Sequence, residues 1–309
     1  MTTTTAARAP SGDRARLVTA RLAALGTVAL AVVGAVYLLS AQTVRGQEIE
    51  NALFDARREE LYRGPSTAIE ILATVSVWSL VAAIAAVMAV ALARGRPRLA
   101  LGAGAVIGVS IVTAEVLKLV VLPRPRLDPD APPWHLANVF PSGHTTIGMA
   151  TAVAFLLVVP YRWRGPAAVA GAVYAAALAA STLEAGWHRT SDALGAIFLV
   201  AGVALWACAA LVAWRGVGPP HPPGRTWAYV PLAAAAGVGA LVLVVGGPRT
   251  IRMIDRGPLN GVGVREGYAV TVTLVVLAVV VVMVVLLLAL RDVSLDAPLD
   301  EGLDEGLQS

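Results

Sequence analysis

Long apolar runs alternate with short polar segments along most of this chain. Each run is close to the ~20 residues that an α-helix needs to cross a lipid bilayer. The runs lie at about residues 18–40, 68–93, 98–122, 144–160, 166–186, 190–214, 227–246 and 268–290. The pattern therefore predicts an all-α, polytopic membrane helix bundle with about eight transmembrane helices.

The polar segments at the two ends and after the first run carry predictions of their own. Residues 1–17 are rich in threonine and arginine and are predicted to form a disordered cytoplasmic tail. The first run is too long for the core of a signal peptide and is interpreted as a retained span. Apolar residues at helical spacing within 47–63 predict a short interfacial helix. The acidic segment 291–309 predicts a second disordered tail.

Short basic loops indicate the orientation of the chain. Loops 94–98 and 161–164 contain several arginines, and the positive-inside rule places such loops in the cytoplasm. Counting spans from them puts both termini inside and puts loops 123–143, 187–189 and 247–267 on the outer side. We therefore expect a multi-pass protein of the plasma membrane with cytoplasmic termini.

Composition supports the same class of protein. The chain is 57% hydrophobic and only 14% charged, with a mean hydropathy of +0.73, which is too apolar for a soluble domain. The net charge of +4 does not indicate a nucleic-acid partner, because the basic residues are spread over short loops and termini and form no single basic face. The lone cysteine, Cys208, lies in an apolar run and excludes a disulfide framework within one chain.

Side chains able to do chemistry are concentrated in three polar segments at the ends of predicted spans. These segments are 118–126, 140–146 and 186–192. By the span count all three face the outer side of the membrane. We interpret them as one extracytoplasmic site.

The second segment opens an apolar run with Pro141-Ser142-Gly143-His144. Ser142 fits the N-cap of a helix, and the unpaired backbone NH groups that follow it, together with the helix dipole, favour a bound anion. Gly143 lets a phosphate approach the backbone closely, and His144 could move a proton to or from the bound group. The alternative interpretation is a helix cap beside an interfacial histidine.

In the third segment, His188 and Asp192 are four residues apart and would share one face of a helix. A carboxylate in that position can hold one imidazole nitrogen and leave the other as a nucleophile or base. The pair could instead be metal ligands, but the four histidines of the chain show no zinc-type spacing. Neither a metal nor another cofactor is therefore expected.

The first segment would supply fixed positive charge for a phosphate through Lys118, Arg124 and Arg126. Lys118 is the only lysine among the 24 basic residues, and it lies near the end of an apolar run. Glu115 is placed to pair with it, and Glu184 is placed to position an arginine. The alternative is that these are charge pairs that only make helix packing tolerable inside a membrane.

Together the three segments resemble the signature motifs of the type 2 phosphatidic acid phosphatase superfamily, which includes lipid phosphate phosphatases and bacterial polyprenyl diphosphate phosphatases. The resemblance runs in order through Lys118 with Arg124-Pro125, Pro141–His144, and Ser181 with His188 and Asp192. It implies a six-span phosphatase-like core within 18–214. Two additional spans with an outer loop would then occupy 215–290.

This sequence departs from the family pattern at two places. Only five residues separate Lys118 from Arg124, one fewer than is common. The family's Ser-Arg pair reads Ser181-Thr182 here, so a phosphate-binding arginine is absent from its usual position. Arg126 or Arg189 could take its place.

The resemblance also implies a mechanism. His188, oriented by Asp192, would attack phosphorus to form a phosphohistidine, and His144 would protonate the leaving oxygen and then activate water. The implied phosphate-binding residues are Lys118, Arg124, Ser142 and Gly143, with Arg126 and Arg189 as the substitutes. The substrate would be a lipid phosphate or diphosphate, polyprenyl or glycerolipid, as in lipid metabolism of a bacterial cell envelope.

Two other functions are consistent with the same motifs. One is a lipid phosphotransferase that uses the same histidine site, and the other is a noncatalytic lipid-binding membrane protein, which Thr182 in place of the arginine would favour. The last two spans carry no chemical motif, and the basic loop between them could help to recognise a larger anionic headgroup. The sequence carries no prediction of oligomeric state.

Overall fold

A computed structural model describes residues 11–61, 67–216, 229–291 and 293, and within these ranges it contains helices and no strand. The α-helices are α1 (Ser11–Ala41), α2 (Val44–Leu61), α3 (Thr67–Ala73), α4 (Val77–Ala93), α5 (Pro97–Val116), α6 (Pro133–Leu136), α7 (Gly143–Val158), α8 (Arg164–Glu184), α9 (Thr190–Arg215), α10 (Tyr229–Ile254) and α11 (Gly261–Ala289). A π-helical turn, Leu117–Val121, extends α5, and a 3₁₀ turn, Tyr161–Trp163, precedes α8. The predicted all-α polytopic bundle is confirmed.

Six of the described helices are long and apolar enough to cross a membrane, namely α1, α5 with its π turn, α8, α9, α10 and α11. A seventh span is obtained if α3 and α4, which meet at an angle of 62°, are counted together. The remaining predicted span is α7, whose 16 residues cover only ~24 Å at 1.5 Å per residue. This helix is shorter than the ~30 Å hydrocarbon core. Its shortness leaves room for a polar site at one of its ends.

The first helix begins at Ser11. The prediction of a disordered tail over 1–17 was therefore wrong for residues 11–17, which are helical. Helix formation does not stop at the membrane surface, and Asp13 in the first turn lies at the positive end of the helix dipole. Residues 1–10 and the acidic tail from 294 onward lie outside the described residues.

Close packing brings α1 against α9 and α7 against α8. At the first crossing, a Cβ on Gly26 would lie 3.2 Å from the carbonyl oxygen of Gly202, so the two backbones nearly touch. At the second, a Cβ on Gly148 would lie 2.7 Å from Leu178 Cδ1. α7 contacts α4, α5, α8 and α9, so this short helix is the centre of the bundle.

The predicted outer loop, 247–267, is mostly helical in the structure. α10 continues through Pro248 to Ile254, and α11 begins at Gly261, which leaves only a short turn. Continuing a helix satisfies backbone NH and CO groups near the membrane without water, and tertiary contacts support it. A Cβ on Gly267 would lie 2.7 Å from Leu53 Cδ2 of α2. α11 also packs against α8 and α9 and shares their apolar core.

Arginines cap helix C-termini at one end of the bundle. Arg94 donates to the carbonyl of Val158 at the end of α7. Arg21 donates to the carbonyl of Ala289 at 2.8 Å, and Arg164 donates to that of Leu290 at 3.2 Å, both at the end of α11. Cations are stabilised at helix C-termini, where the last carbonyls have no partner within the helix. The three polar segments lie at the opposite end.

Candidate active site

The three polar segments meet at the end of the bundle where α5 and α8 finish and α7 and α9 begin. The backbone NH of Ser142 donates to the carbonyl of Asp192 at 2.9 Å, which joins the second segment to the third. A Cβ on Gly143 would lie 3.8 Å from Lys118 Nζ, which places the first segment against the second. The structure therefore brings together segments that are far apart in sequence.

Ser142 caps α7 as its position predicted. Its hydroxyl accepts the NH of Thr145 at 3.4 Å, and the side chain is fully buried. The first NH groups of α7 have no partner within the helix and carry the positive end of its dipole. A Cβ on Gly143 would lie 3.5 Å from Glu115 Oε1 and 3.8 Å from Lys118 Nζ, so the ammonium and its carboxylate partner both lie near this helix end.

Lys118 reaches this helix end from the π-helical turn that follows α5. Such turns are rare and are found frequently at functional sites. Asn138 donates to the carbonyl of Lys118 at 2.8 Å and thereby supports the turn. Lys118 Nζ lies 2.7 Å from Glu115 Oε1, so the predicted ion pair is confirmed. The lysine is largely buried and the glutamate is half-exposed.

His188 Nδ1 lies 3.4 Å from Asp192 Oδ2, and both side chains are largely buried. The spacing predicted that His188 and Asp192 share one helix face. This was wrong, because α9 begins only at Thr190 and His188 precedes it. Asp192 instead reaches back from the first turn of α9 and also accepts the NH of Arg189 at 2.8 Å. One carboxylate therefore caps the helix and holds the imidazole, which leaves Nε2 of His188 for chemistry.

His144, the second residue of α7, lies beside His188 and Lys118, close enough for their charges to act on it. Its ring makes an edge contact with Trp187, with 5.5 Å between ring centroids. Trp187 is the residue before His188, so the third segment also positions the histidine of the second. The site thus has two neighbouring imidazoles on different elements.

Thr182 stands where the family has an arginine, and its side chain serves a local role. Its hydroxyl donates to the carbonyl of Ala179 at 2.7 Å within α8. Its carbonyl accepts the NH groups of Trp187 at 3.1 Å and His188 at 3.3 Å. The backbone of Thr182 therefore positions the His188 segment, while its side chain offers no charge to a phosphate.

Arg124 and Arg189 lie side by side and share two acceptors. The carbonyl of His135 accepts from Arg124 Nε at 3.0 Å and from Arg189 Nη2 at 3.2 Å. Asn51 Oδ1 accepts from both guanidinium groups, at 3.4 and 3.3 Å. Burial and the neighbouring charge of Arg189 lower the pKa of Arg124. The two guanidinium groups therefore share neutral acceptors, and the acidic groups of Asp192 and Glu50 lie close enough to act on the charge of Arg124.

Arg126 does not join this cluster. It is exposed and donates to the carbonyls of Asp128 and Pro129 in its own loop. Of the two substitutes named for the missing arginine, only Arg189 lies among the site residues.

Sequence reasoning missed the part that α2 plays in this site. The helix was predicted as an interfacial helix, and the structure places it across the ends of the three segments. Asn51 binds the arginine pair, and Asp55 Oδ2 lies 2.8 Å from His135 Nε2. Glu50 Oε2 accepts the hydroxyl of Ser191 at 2.6 Å. The signal in the sequence was the spacing of Glu50, Asn51 and Asp55, which puts three polar side chains on one helical face.

Glu50 is the most perturbed acid near the site. Burial raises its pKa to about 7, and the adjacent Asp192 adds to the shift, against the hydrogen bonds from Ser191 and the charge of Arg189. A carboxyl group that titrates near neutral pH therefore lies against the first turn of α9. Among the described residues, no group of three or more His, Cys, Asp or Glu side chains is arranged to hold a metal ion.

Residues 99–216 match the family model of the PAP2 superfamily. The predicted membership of the type 2 phosphatidic acid phosphatase superfamily is confirmed for this part of the chain, which contains all three motifs. No curated protein and no solved structure matched the chain. Together with the apolar helices, the match defines a multi-pass membrane protein of phosphatase type.

Proposed function

We propose that the protein is a lipid-phosphate phosphatase that cleaves a phosphomonoester or diphosphate of a polyprenyl or glycerolipid. The observation that carries the proposal is the His188–Asp192 pair beside the N-terminus of α7, where Lys118 and the NH groups after Ser142 meet. A nucleophile, a second histidine and an anion-binding helix end are the three parts that phosphoryl transfer needs.

In the proposed reaction, Nε2 of His188 attacks phosphorus while Asp192 holds Nδ1 and stabilises the positive ring. The P–O bond to the lipid breaks, and His144 gives its proton to the leaving oxygen. His144 then takes a proton from water, which attacks the phosphohistidine and releases inorganic phosphate. Lys118 and the NH groups of Gly143 and His144 stabilise the charge on the equatorial oxygens.

Arg189 supplies the guanidinium that Thr182 cannot. It is buried, it neighbours Arg124, and Phe54 lies 4.8 Å from its Cζ. The anchoring by Asn51 and by the carbonyl of His135 holds both guanidinium groups next to the nucleophile segment. A phosphate therefore meets two arginines here, with the second contributed by a residue adjacent to His188.

The site lies at the end of the bundle opposite the arginine-capped helix ends. We assign the end that carries the site to the extracytoplasmic face. A lipid could keep its tail among the apolar helices while its phosphate reaches α7. The basic loops at the arginine-capped end support this orientation. The protein would then act on lipid phosphates at the outer surface of the cell membrane.

The test is phosphate release by the full-length protein in detergent from a panel of lipid phosphates, with chelator present. Parent protein is expected to release phosphate, and His188→Ala is expected to lose at least about 100-fold in rate because the covalent step is lost. Acid quenching of the parent should trap an acid-labile phosphoryl group that the variant lacks.

Thermal unfolding of His188→Ala provides the control for folding. Equal release by the parent and a folded His188→Ala variant would contradict the proposal. Addition of an alcohol acceptor distinguishes hydrolysis from transfer, since a phosphotransferase would form a phosphorylated alcohol in place of inorganic phosphate. Absence of any release from a folded parent would favour the noncatalytic lipid-binding role.

A further inference from the structure

The face of α10 that points away from the bundle is an apolar stripe. Val238, Leu241 and Val245 are 64%, 65% and 46% exposed. They follow one another at spacings of three and four residues, so they lie in one row along the helix. α10 packs mainly against α11, and in a membrane protein such an exposed apolar row faces lipid tails.

The same row continues into three arginines. Arg249, Arg252 and Arg256 follow Val245 at spacings of four, three and four residues. The first two lie in the last turns of α10, the third lies in the turn after Ile254, and all three are exposed. A lipid-facing apolar row that ends in cations is the arrangement found where a helix passes from the hydrocarbon core into the headgroup layer.

Nearby carboxylates do not neutralise these charges. Asp255, which lies among them, forms an ion pair with Arg45 of α2. Within the described part of the chain, none of the three arginines has a carboxylate within ion-pair distance. Arg265, in the first turns of α11, is exposed at the same end and adds to the positive charge. Among the described residues, the three arginines of the row therefore form no ion pair.

We propose that Arg249, Arg252 and Arg256 bind the phosphate headgroup of an anionic membrane lipid whose acyl chains lie along Val238–Val245. Guanidinium groups bind phosphate oxygens in a bidentate manner, and each basic residue near an anionic surface contributes to binding. The occupant is a lipid and not a free phosphate, because the cations continue an apolar row that needs hydrocarbon against it. This site is separate from the one around His188.

The turn that carries Arg256 is also attached to α2 through the Arg45–Asp255 pair, and α2 covers the His188 site. A lipid held by the arginine row would therefore lie beside the helix that holds the catalytic segments together. This places the proposed lipid site at the same membrane surface as the proposed phosphatase site. Binding there does not depend on turnover.

The test uses full-length protein carrying His188→Ala, so that turnover cannot affect the result. Detergent-solubilised protein is equilibrated with equal amounts of dioleoylphosphatidylglycerol and dioleoylphosphatidylcholine, and bound lipids are counted by native mass spectrometry. The parent is expected to retain the anionic lipid preferentially. The triple variant R249Q/R252Q/R256Q should lower that preference by at least about tenfold, since each basic residue contributes roughly fivefold.

Two matched variants accompany it. R249K/R252K/R256K keeps the charge and is expected to retain most of the preference. R16Q/R96Q/R162Q removes the same charge at the opposite end of the bundle and should retain at least half of it. The proposal is overturned if R249Q/R252Q/R256Q keeps the parent's preference for the anionic lipid. It is also overturned if R249Q/R252Q/R256Q and R16Q/R96Q/R162Q lose that preference equally. Displacement of the lipid by inorganic phosphate, but not by sodium chloride of equal ionic strength, would also overturn it by assigning the arginines to a free anion.

Discussion

Glu50 shows how one side chain outside the three motifs acts on the site. Its carboxylate accepts the hydroxyl of Ser191 at 2.6 Å and the NH of Ser191 at 3.3 Å. Ser191 is followed in the chain by Asp192, whose carboxylate contacts the ring of His188. Glu50 thus fixes the first turn of α9 from a helix that is 141 residues away in sequence. Its ionisation near neutral pH places a variable charge beside Asp192.

Replacing Glu50 by Gln should change how stability depends on pH. Burial raises the pKa of Glu50 from 4.5 to about 7, so between these values the folded protein holds a proton that the unfolded chain has released. The free energy of unfolding of the parent should therefore fall, relative to Glu50→Gln, as pH rises from about 4.5 to about 7. Above that window the difference should stay constant. Thermal unfolding in detergent across this range measures it.

Glu48→Gln is the matched control, because Glu48 lies on the same helix with its side chain 55% exposed. The difference in free energy of unfolding between Glu48→Gln and the parent should not change between pH 4.5 and about 7 in the way expected for Glu50→Gln. A Glu50→Gln difference that is constant from pH 4.5 to 7 would show that the folded-state carboxyl titrates normally.

At the scale of elements, the loop before α7 is positioned by α1 and α9. Tyr37 of α1 donates to the carbonyl of Pro123 at 2.6 Å, and the ring of Phe140 lies over Gly195 of α9. This contact sets the distance between the Pro141–His144 segment and the start of α9. The Ser142–Asp192 backbone hydrogen bond forms at that distance.

Gly195→Ala should disturb this arrangement. The new Cβ would lie 2.4 Å from Phe140 Cζ, so the ring and its loop must move. Overpacking of this kind costs about 1–3 kcal/mol of stability, and phosphate release should fall because Ser142 moves away from Asp192. Chemical or thermal unfolding in detergent and the phosphate-release assay measure the two effects.

Gly108→Ala provides the comparison, since a Cβ at that position of α5 meets no atom within 4 Å. There the higher helix propensity of Ala should leave stability equal or raise it by up to ~1 kcal/mol. Equal stability and activity of the two variants would show that Phe140 does not depend on Gly195.

At the scale of the whole molecule, the two ends of the bundle have different chemistry. One end is closed by arginines that cap α7 and α11, and the other carries the histidines and the α2 helix. Arg164 is almost fully buried and donates to the carbonyls of Leu290 at 3.2 Å and Val293 at 3.5 Å. It ties the end of α11 to the start of α8.

Arg164→Ala should therefore lower the free energy of unfolding. Hydrogen bonds from a charged donor contribute about 1.5–3 kcal/mol, and their loss also leaves the carbonyls at the end of α11 without this partner. Unfolding of the full-length protein in detergent measures the effect. Arg162→Ala, an exposed arginine in the same turn, should stay within about 0.5 kcal/mol of the parent. Equal effects at the two positions would contradict a capping role for Arg164.

The sequence by itself determined the helical class and two local contacts of the candidate site. Apolar runs in a bilayer must form helices because lipid cannot satisfy backbone NH and CO groups. Ser142 as an N-cap and Asp192 beside His188 are local arrangements, since the partners are three or four residues apart. Such contacts depend on chain geometry more than on packing, so the spacing predicted both pairings, although Asp192 reaches His188 from the first turn of α9 and not along one helix face.

Only the tertiary structure decided which distant residues join the site. Glu50 and Asn51 reach it because α1 packs on α9 and directs α2 across the bundle end, and Arg126 leaves it because its loop turns outward. The helix limits at Ser11 and Gly261 likewise differ from the apolar runs. These features depend on contacts between elements that are far apart in sequence, and hydrophobic periodicity carries no information about which elements meet.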